Sequence, residues 1–218
     1  MTAAIQSSST VSTAIHNGTP SFTFDQNGIR SGIATLLRGY IDGLTMSTAG
    51  SSTTMTIAPG EATDSTNLVT LELAASISKT TGAWAVGSGN GGLDTGSIAN
   101  STWYYFYLIR RPDTGVVDVV FSTNSTSPTL PTNYTQFRYI GAGLTNGSGQ
   151  WVAFTQVGDE FYWSTPVLDI NAAGSTSAQL ATLSVPRGRK VKVFANVTSG
   201  TQMQVYLSDP ANADVAPS

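Results

Sequence analysis

Cysteine is absent from the chain, and histidine occurs once, as His16. Without thiols there can be no disulfide, no thiolate nucleophile and no zinc–thiolate site. A serine–histidine–aspartate triad needs a buried and oriented histidine, whereas His16 lies in a stretch rich in serine and threonine. We therefore predict that the chain is not an enzyme, with no catalytic residues, no cofactor and no bound metal ion.

Charged residues are scarce as well. They make up 11% of the chain, and the net charge is −3, whereas ordinary soluble domains contain about 25%. Phosphate backbones require a concentrated basic surface, and the one basic cluster, Arg187, Arg189, Lys190 and Lys192, fits a solvated strand end. No apolar run approaches the roughly 18 residues that span a bilayer, and no secretion signal is visible. We expect neither nucleic acid nor a membrane as partner, and synthesis in a cytoplasm.

Hydroxyl side chains supply much of the polarity that charge supplies elsewhere, with 31 threonines and 26 serines. Threonine is β-branched and suits the pleated surface of a sheet. From residue 40 onward, short segments of alternating apolar and polar residues are separated by turn residues, as in sandwiches and barrels. The pattern predicts an all-β fold, an antiparallel β-sandwich of jelly-roll-like type with an extended N-terminal tail. The clearest apolar positions are Met55, Ile57, Val69, Leu71, Leu73, Phe137, Tyr139, Phe161 and Trp163, with a last hairpin joining residues 191–197 to 203–207.

One segment departs from this alternation. Residues 103–109 read WYYFYLI, a nearly continuous apolar run that ends at Arg110 and Arg111. Such a run predicts a strand buried on both faces, and residues 116–121 are expected to return beside it after a Pro/Gly turn. Because a sandwich core covers only one face of a sheet, we expect a neighbouring layer or a second subunit to cover the other.

The composition divides the chain into three predicted regions, namely an N-terminal attachment tail and linker (1–39), a β-sandwich domain (40–208) and a C-terminal linker or cut end (209–218). Residues 1–28 hold a single charge and no sustained apolar period. They cannot offset their own ordering entropy, which is about 1–2 kcal/mol per residue. Phe22 and Phe24 share one side of an extended chain. We predict that these two rings attach the tail to a partner protein.

Carboxylates and glycines offer two further kinds of site. A glycosidase needs two carboxylates across a cleft, but Asp159 and Glu160 are neighbours that point to opposite faces of an extended chain. Other pairs would have to meet through the fold. The glycine-rich residues 87–96 lack the Gly-Lys-Ser/Thr of a phosphate-binding loop, and we interpret them as a long loop between strands. A calcium ion held by Asp94 and carbonyl oxygens stays open as an alternative.

Aromatic residues are the remaining candidates for binding, because their flat faces can stack on sugars. Most are expected to fill the core or a subunit interface. Tyr104 and Tyr162 are the two candidates for binding a surface glycan, because strand alternation places them opposite the expected core face. The full candidate set is Trp84, Trp103, Tyr104, Tyr105, Trp151, Tyr162 and Trp163.

Eight short segments between residues 43 and 169 carry a likeness to a known family. The most specific is residues 102–115, TWYYFYLIRRPDTG. The others are GLTMS at 43–47, TIAPGEA at 56–62, WAVG at 84–87, GGLDTG at 91–96, PTLP at 128–131, YIG at 139–141 and Asp159-Glu160. Together they resemble a recurrent module of phage and prophage fibre proteins, over a little more than half of the chain. Because related chains continue beyond the position that corresponds to residue 218, we expect this end to be incomplete.

The resemblance implies a structural virion component of a tailed phage, a homotrimeric head or tail fibre made in the host bacterial cytoplasm. Its expected partners are further copies of the chain, other virion proteins such as capsid, portal or tail adaptor, and a host-surface glycan. It implies no catalytic residues. Two alternatives stay open, a capsid decoration (cement) protein that stabilises the head, and a carbohydrate-binding module or glycan-cleaving fibre.

Overall fold

The computed structural model describes residues 12–13, 23–25, 28–31, 38–157, 160–170 and 182–186. Within these residues the regular secondary structure consists of β-strands alone, so the predicted all-β fold is confirmed. No helix in this part of the chain could cross a membrane. Two compact units are distinguished, residues 1–164 and 165–218. The predicted limits of tail, sandwich and C-terminal segment stay predictions, and the predicted hairpin of residues 191–207 and the basic cluster beside it lie outside the described residues.

Fifteen strands are assigned in the described residues. They are β1 (Ser12–Thr13), β2 (Thr23–Asp25), β3 (Gly28–Ser31), β4 (Ile41–Gly43), β5 (Met46–Ser47), β6 (Thr54–Ile57), β7 (Gly60–Thr63), β8 (Thr70–Leu73), β9 (Ile77–Ala83), β10 (Gly91–Leu93), β11 (Trp103–Arg110), β12 (Val117–Ser122), β13 (Gln136–Leu144), β14 (Phe154–Val157) and β15 (Glu160–Trp163). All of them belong to the first unit. In the second unit, the backbone amide of Ser184 donates to the Asp169 carboxylate at 3.1 Å.

The strands form four sheets. The largest has seven strands in the order β13-β11-β12-β10-β9-β6-β5, and the others are β4-β7-β8, β1-β2-β3 and the hairpin β14-β15. Strand β10 runs parallel to both of its neighbours, whereas the other ladders between the described strands are antiparallel. The large sheet is therefore mixed, with β10 lying between β9 and β12, each of which is antiparallel to its other neighbour.

The predicted sandwich is confirmed by the packing of the two larger sheets. Ala62, Leu71 and Leu73 of the small β4-β7-β8 sheet share one buried cluster with residues of the large sheet, among them Met55 and Ile57. The alternation predicted for β6 and β8 is confirmed, because the apolar positions are buried and the positions between them are more exposed. The core therefore lies between these sheets, as the period of two in the sequence indicates.

Trp151 is fully buried in the core between the sheets. It lies before strand β14, which starts at Phe154, and forms isolated bridges to Ser52 and to Thr145. Its backbone amide donates to Ser52 O at 2.8 Å, and its indole Nε1 donates to Thr53 O at 3.2 Å. One fully buried tryptophan thereby connects a residue before β6 with a residue just after β13.

The strands β4 and β7 approach each other closely through Gly43 and Gly60, which are paired in register. A Cβ on Gly43 would overlap the carbonyl oxygen of Pro59, and one on Gly60 would overlap the carbonyl oxygen of Asp42. Gly43 also has a φ of +65°, in the left-handed region that favours glycine. The close approach of these two strands therefore depends on the absence of side chains at both positions.

We predict that Gly43→Ala lowers the free energy of unfolding by about 1–3 kcal/mol, because the variant combines left-handed strain with a backbone overlap. Urea denaturation measures the change. Gly147→Ala is the matched control, since nothing lies within 4 Å of a Cβ at that position. Equal stabilities of the two variants would show that the β4–β7 approach does not require glycine.

Candidate functional site: the outer aromatic face of the large sheet

Strand β11 is buried on both faces, as its apolar run predicted. Tyr104, Phe106 and Leu108 belong to the core between the sheets. The residues that alternate with them, Tyr105, Tyr107 and Ile109, belong to a second buried cluster on the opposite face. The large sheet is therefore an internal layer at this strand, with packed side chains above and below it.

We call the second cluster the outer aromatic face. Its members are Trp84, Trp103, Tyr105, Tyr107, Ile109, Val120, Leu130, Tyr134, Phe137, Tyr139 and Ala142. Register explains the contacts, because Tyr107 of β11 is opposite Tyr139 of β13, and the rings of Tyr107 and Tyr139 lie 5.9 Å apart in an edge-on arrangement. Trp84, Trp103, Phe137 and Tyr139 are only partly buried. They form the accessible rim of this face.

Residues 124–135 cover the rest of the outer aromatic face. Leu130 and Tyr134 of this segment pack with the β11 residues of the face, and the Tyr107 hydroxyl donates to Asn124 O at 2.7 Å. The segment is also held at Thr129, whose amide donates to the Asp94 carboxylate at 2.9 Å. The expected second layer over β11 is thus supplied by the chain itself. Burial of both faces therefore no longer requires a second subunit, and a trimer depends on the family resemblance alone.

A buried ion pair lies beside this face. Lys79 Nζ is 2.7 Å from Asp118 Oδ1, with the two side chains 0% and 1% exposed. The Lys79 ammonium also donates to Ala85 O at 2.8 Å and to Gly87 O at 3.0 Å. The Asp118 carboxylate accepts from the Gly87 amide at 2.7 Å and from the Val119 amide at 2.6 Å. Every hydrogen of the ammonium has an acceptor, so the pair is fully hydrogen-bonded without water.

The ion pair accounts for a glycine in the glycine-rich segment, residues 87–96. Burial lowers the pKa of Lys79, and the hydrogen bond and charge of Asp118 oppose this shift without cancelling it. Gly92 leaves room for the pair, because a Cβ there would lie 2.9 Å from Lys79 Cβ and 2.7 Å from a Phe121 ring carbon. Residues 87–96 were predicted to be a loop between strands, but Gly91–Leu93 form strand β10 there, so the prediction is wrong for these three residues. Lys79 and Asp118 fix the backbone at Gly87, before that strand.

Asp94 was the alternative calcium ligand. One of its carboxylate oxygens accepts from the Thr95 amide at 2.7 Å, and the other accepts from the Thr129 amide at 2.9 Å. In the part of the chain that the structure describes, no group of three His, Cys, Asp or Glu residues is placed to hold a metal ion. What Asp94 does there is join the glycine-rich loop to the segment that covers the outer aromatic face.

The two glycan-binding candidates lie in different surroundings. Tyr104 is 1% exposed in the core, where its hydroxyl accepts from the Ala99 amide at 2.8 Å, so the expectation that it faces outward is wrong. With both faces of β11 apolar, alternation alone could not identify which one is solvent-accessible. Tyr162 is 43% exposed on β15 and donates to the Glu160 carboxylate at 2.5 Å. Of the two, only Tyr162 can be reached from the surface.

The attachment candidates fall largely outside the described residues. Phe22 and His16 are not described. Phe24 is in β2, where its backbone pairs with Ser12 of β1 and with Ile29 of β3. The backbone at Phe24 is therefore extended, as the prediction of a shared side for the two rings requires, and the role of both residues stays a prediction.

A row of carboxylates was not found from the sequence. Asp42 of β4 is opposite Glu61 of β7, and Glu61 is opposite Glu72 of β8, so the three share one face of the small sheet. The Tyr40 hydroxyl donates to Glu61 at 3.0 Å, and this hydrogen bond raises the pKa of Tyr40. Glu72 also borders a depression of about 350 Å³ that contains Ser76 and Ser88. The row follows from strand register, which sequence spacing does not reveal.

Comparison with known proteins adds no relative. No protein-family model, no curated protein and no solved structure matches the chain. Function is therefore inferred from the chain's own residues and contacts. Those contacts, at the outer aromatic face and around Lys79, hold segments of the chain together.

We predict that Lys79→Met lowers the free energy of unfolding by about 3–5 kcal/mol, because Asp118 is left as an uncompensated buried charge. The double variant Lys79→Met/Asp118→Asn should lose less, since the unpaired buried charge is then gone and the remaining amide oxygen can still accept from one of the two backbone amides, those of Gly87 and Val119. Guanidinium denaturation of both variants measures the difference. A double variant less stable than the single one would contradict this interpretation of the pair.

Proposed function

We propose that the chain is a structural component of a tailed-phage-type virion, a trimeric head or tail fibre attached through its N-terminal tail. The proposal rests on the resemblance to phage fibre modules, and what supports it is that the residues carrying this resemblance are also those that hold the fold together. A module defined by catalysis would instead share reacting groups. A structural module shares the residues that shape its strands and turns.

The glycine motifs illustrate this relation. Gly43 of the GLTMS segment and Gly60 of the TIAPGEA segment are the pair that lets β4 and β7 approach. Gly92 of the GGLDTG segment makes room for the stem of Lys79. Asp94 of the same segment binds the Thr129 amide within the PTLP segment. Motifs far apart in sequence thus meet in single structural contacts.

The most specific motif, residues 102–115, supplies strand β11 and the turn that follows. Arg111 donates to both oxygens of Asp113, at 3.0 and 2.6 Å. The turn is closed by the Gly115 amide donating to Arg111 O at 2.9 Å, where Gly115 has a φ of +75°. The arrangement fixes the return into β12 and supports a rigid structural role for the motif.

The capsid decoration protein is the closest alternative, because it would use the same rigid domain and the same tail. Both proposals place the anchor in residues 1–28, and both assign Phe22 and Phe24 to attachment. They differ in where the chain sits on the particle. A labelled chain found on fibres supports the first proposal, and one found across the head shell supports the second.

We predict that deletion of residues 1–28 leaves assembly into trimers intact but removes the chain from purified particles. Light scattering of the full-length protein should give three times the 22.7 kDa mass of the chain, and the truncated protein should also be trimeric. Particles made in a host that supplies the truncated chain should lack it. Normal incorporation would refute attachment through the tail, and a monomer at micromolar concentration would refute the trimer.

A point-variant pair refines the same test. Phe22→Ala/Phe24→Ala should reduce incorporation as the deletion does, because an extended segment that binds in a groove uses alternate side chains as anchors. Ser21→Ala/Thr23→Ala, on the other side of the extended chain, is the matched control and should be incorporated normally. Equal incorporation of both variants would remove the two phenylalanines from the attachment site.

A further inference from the structure

The Lys79–Asp118 pair is unusual in its degree of burial. Of the two ion pairs in the described residues, Arg111–Asp113 is on the surface, whereas Lys79 and Asp118 are essentially inaccessible to solvent. Burying two charges is costly even when they are paired, and a neutral product would remove that cost. From this geometry we propose that Lys79 and Asp118 condense to an isopeptide bond, an amide between Lys79 Nζ and Asp118 Cγ.

The reacting atoms are already in contact. Lys79 Nζ is 2.7 Å from Asp118 Oδ1, which places the amine beside the carboxyl carbon. Fixed proximity of this kind replaces the entropy loss of a bimolecular condensation. Hydrogen bonds to Ala85 O and Gly87 O hold the nitrogen in place. The two reacting groups are therefore aligned by the backbone of the glycine-rich loop rather than by long side chains.

The carboxylate oxygens are also placed for the reaction. Oδ1 accepts from the Val119 amide at 2.6 Å, and Oδ2 accepts from the Gly87 amide at 2.7 Å. These two donors stabilise the negative charge on oxygen in the tetrahedral intermediate, as backbone amides do in oxyanion holes. They also withdraw electron density from Cγ, which makes the carbon a better electrophile.

The step balances without a co-reactant. The nitrogen of the ammonium gives up two protons and forms the C–N bond, while one carboxylate oxygen leaves Cγ and accepts both protons as water. The two opposite charges disappear together, and no oxidant or reductant is involved. Exclusion of bulk water favours the amide over its hydrolysis, because one product of the condensation is water.

Aromatic side chains lie around the pair. The Trp84 ring lies 5.4 Å from Lys79 Nζ, and the Tyr134 ring lies 5.4 Å from the Trp84 ring. With Lys79 and Asp118 at 0% and 1% exposure, the reacting atoms are shielded from bulk water.

The bond would join β9 to β12 across β10, the parallel strand between them. Closing the segment 79–118 covalently restricts the unfolded chain in the way that a disulfide does, and so stabilises the folded state. In a chain without cysteine, this is a route to a covalent crosslink in any redox environment. The inference does not depend on the proposed virion role.

Intact-mass spectrometry of the full-length wild-type protein, denatured after prolonged incubation at neutral pH, tests the bond. We expect a mass lower than the sequence mass by one water, about 18 Da, and a branched proteolytic peptide that joins the two residues. Lys79→Met and Asp118→Ala should keep their full sequence masses. The wild-type measurement stands whether or not these variants fold, and a wild-type protein at full sequence mass would overturn the proposal.

Discussion

Coverage of both faces of β11 is the constraint on which the rest of the structure depends. Six consecutive residues of this strand, 104–109, are buried, and each face must be packed against something apolar. On the inner face, Tyr104 and Phe106 pack around Trp151. That packing is possible because Gly143 of β13 leaves room for the indole, which would lie 3.2 Å from a Cβ at that position. The core is therefore built around one aromatic strand and a small-residue neighbour.

The outer face of β11 must be covered as well, and a segment of the chain outside the assigned strands covers it. Residues 124–135 are placed over β11 by hydrogen bonds to Tyr107 and Asp94. The glycine-rich loop is fixed beside them by Lys79 and Asp118. Loops usually lie on the surface and carry function, but residues 124–135 form a packing layer over β11.

Local patterns in the sequence predicted individual strands, but they did not predict contacts between residues far apart in the sequence. The run at 103–109 predicted a doubly buried strand, and the alternation at Met55 and Ile57 predicted β6. The same alternation misplaced Tyr104, since a strand apolar on both faces does not indicate which face is solvent-accessible. Lys79 and Asp118 meet because their strands, β9 and β12, lie on either side of the parallel strand β10. No local sequence pattern encodes that strand order.

The most direct test of this account concerns Tyr107, which is fully buried on the outer face. The free-energy loss caused by Tyr107→Ala should be about 3–5 kcal/mol, measured by chemical denaturation of the wild-type and variant proteins over a hundredfold range of protein concentration. Because the chain covers this residue itself, the difference between variant and wild type should be the same at every concentration. A difference that grows with concentration would show that another subunit covers the outer face, and would contradict the account.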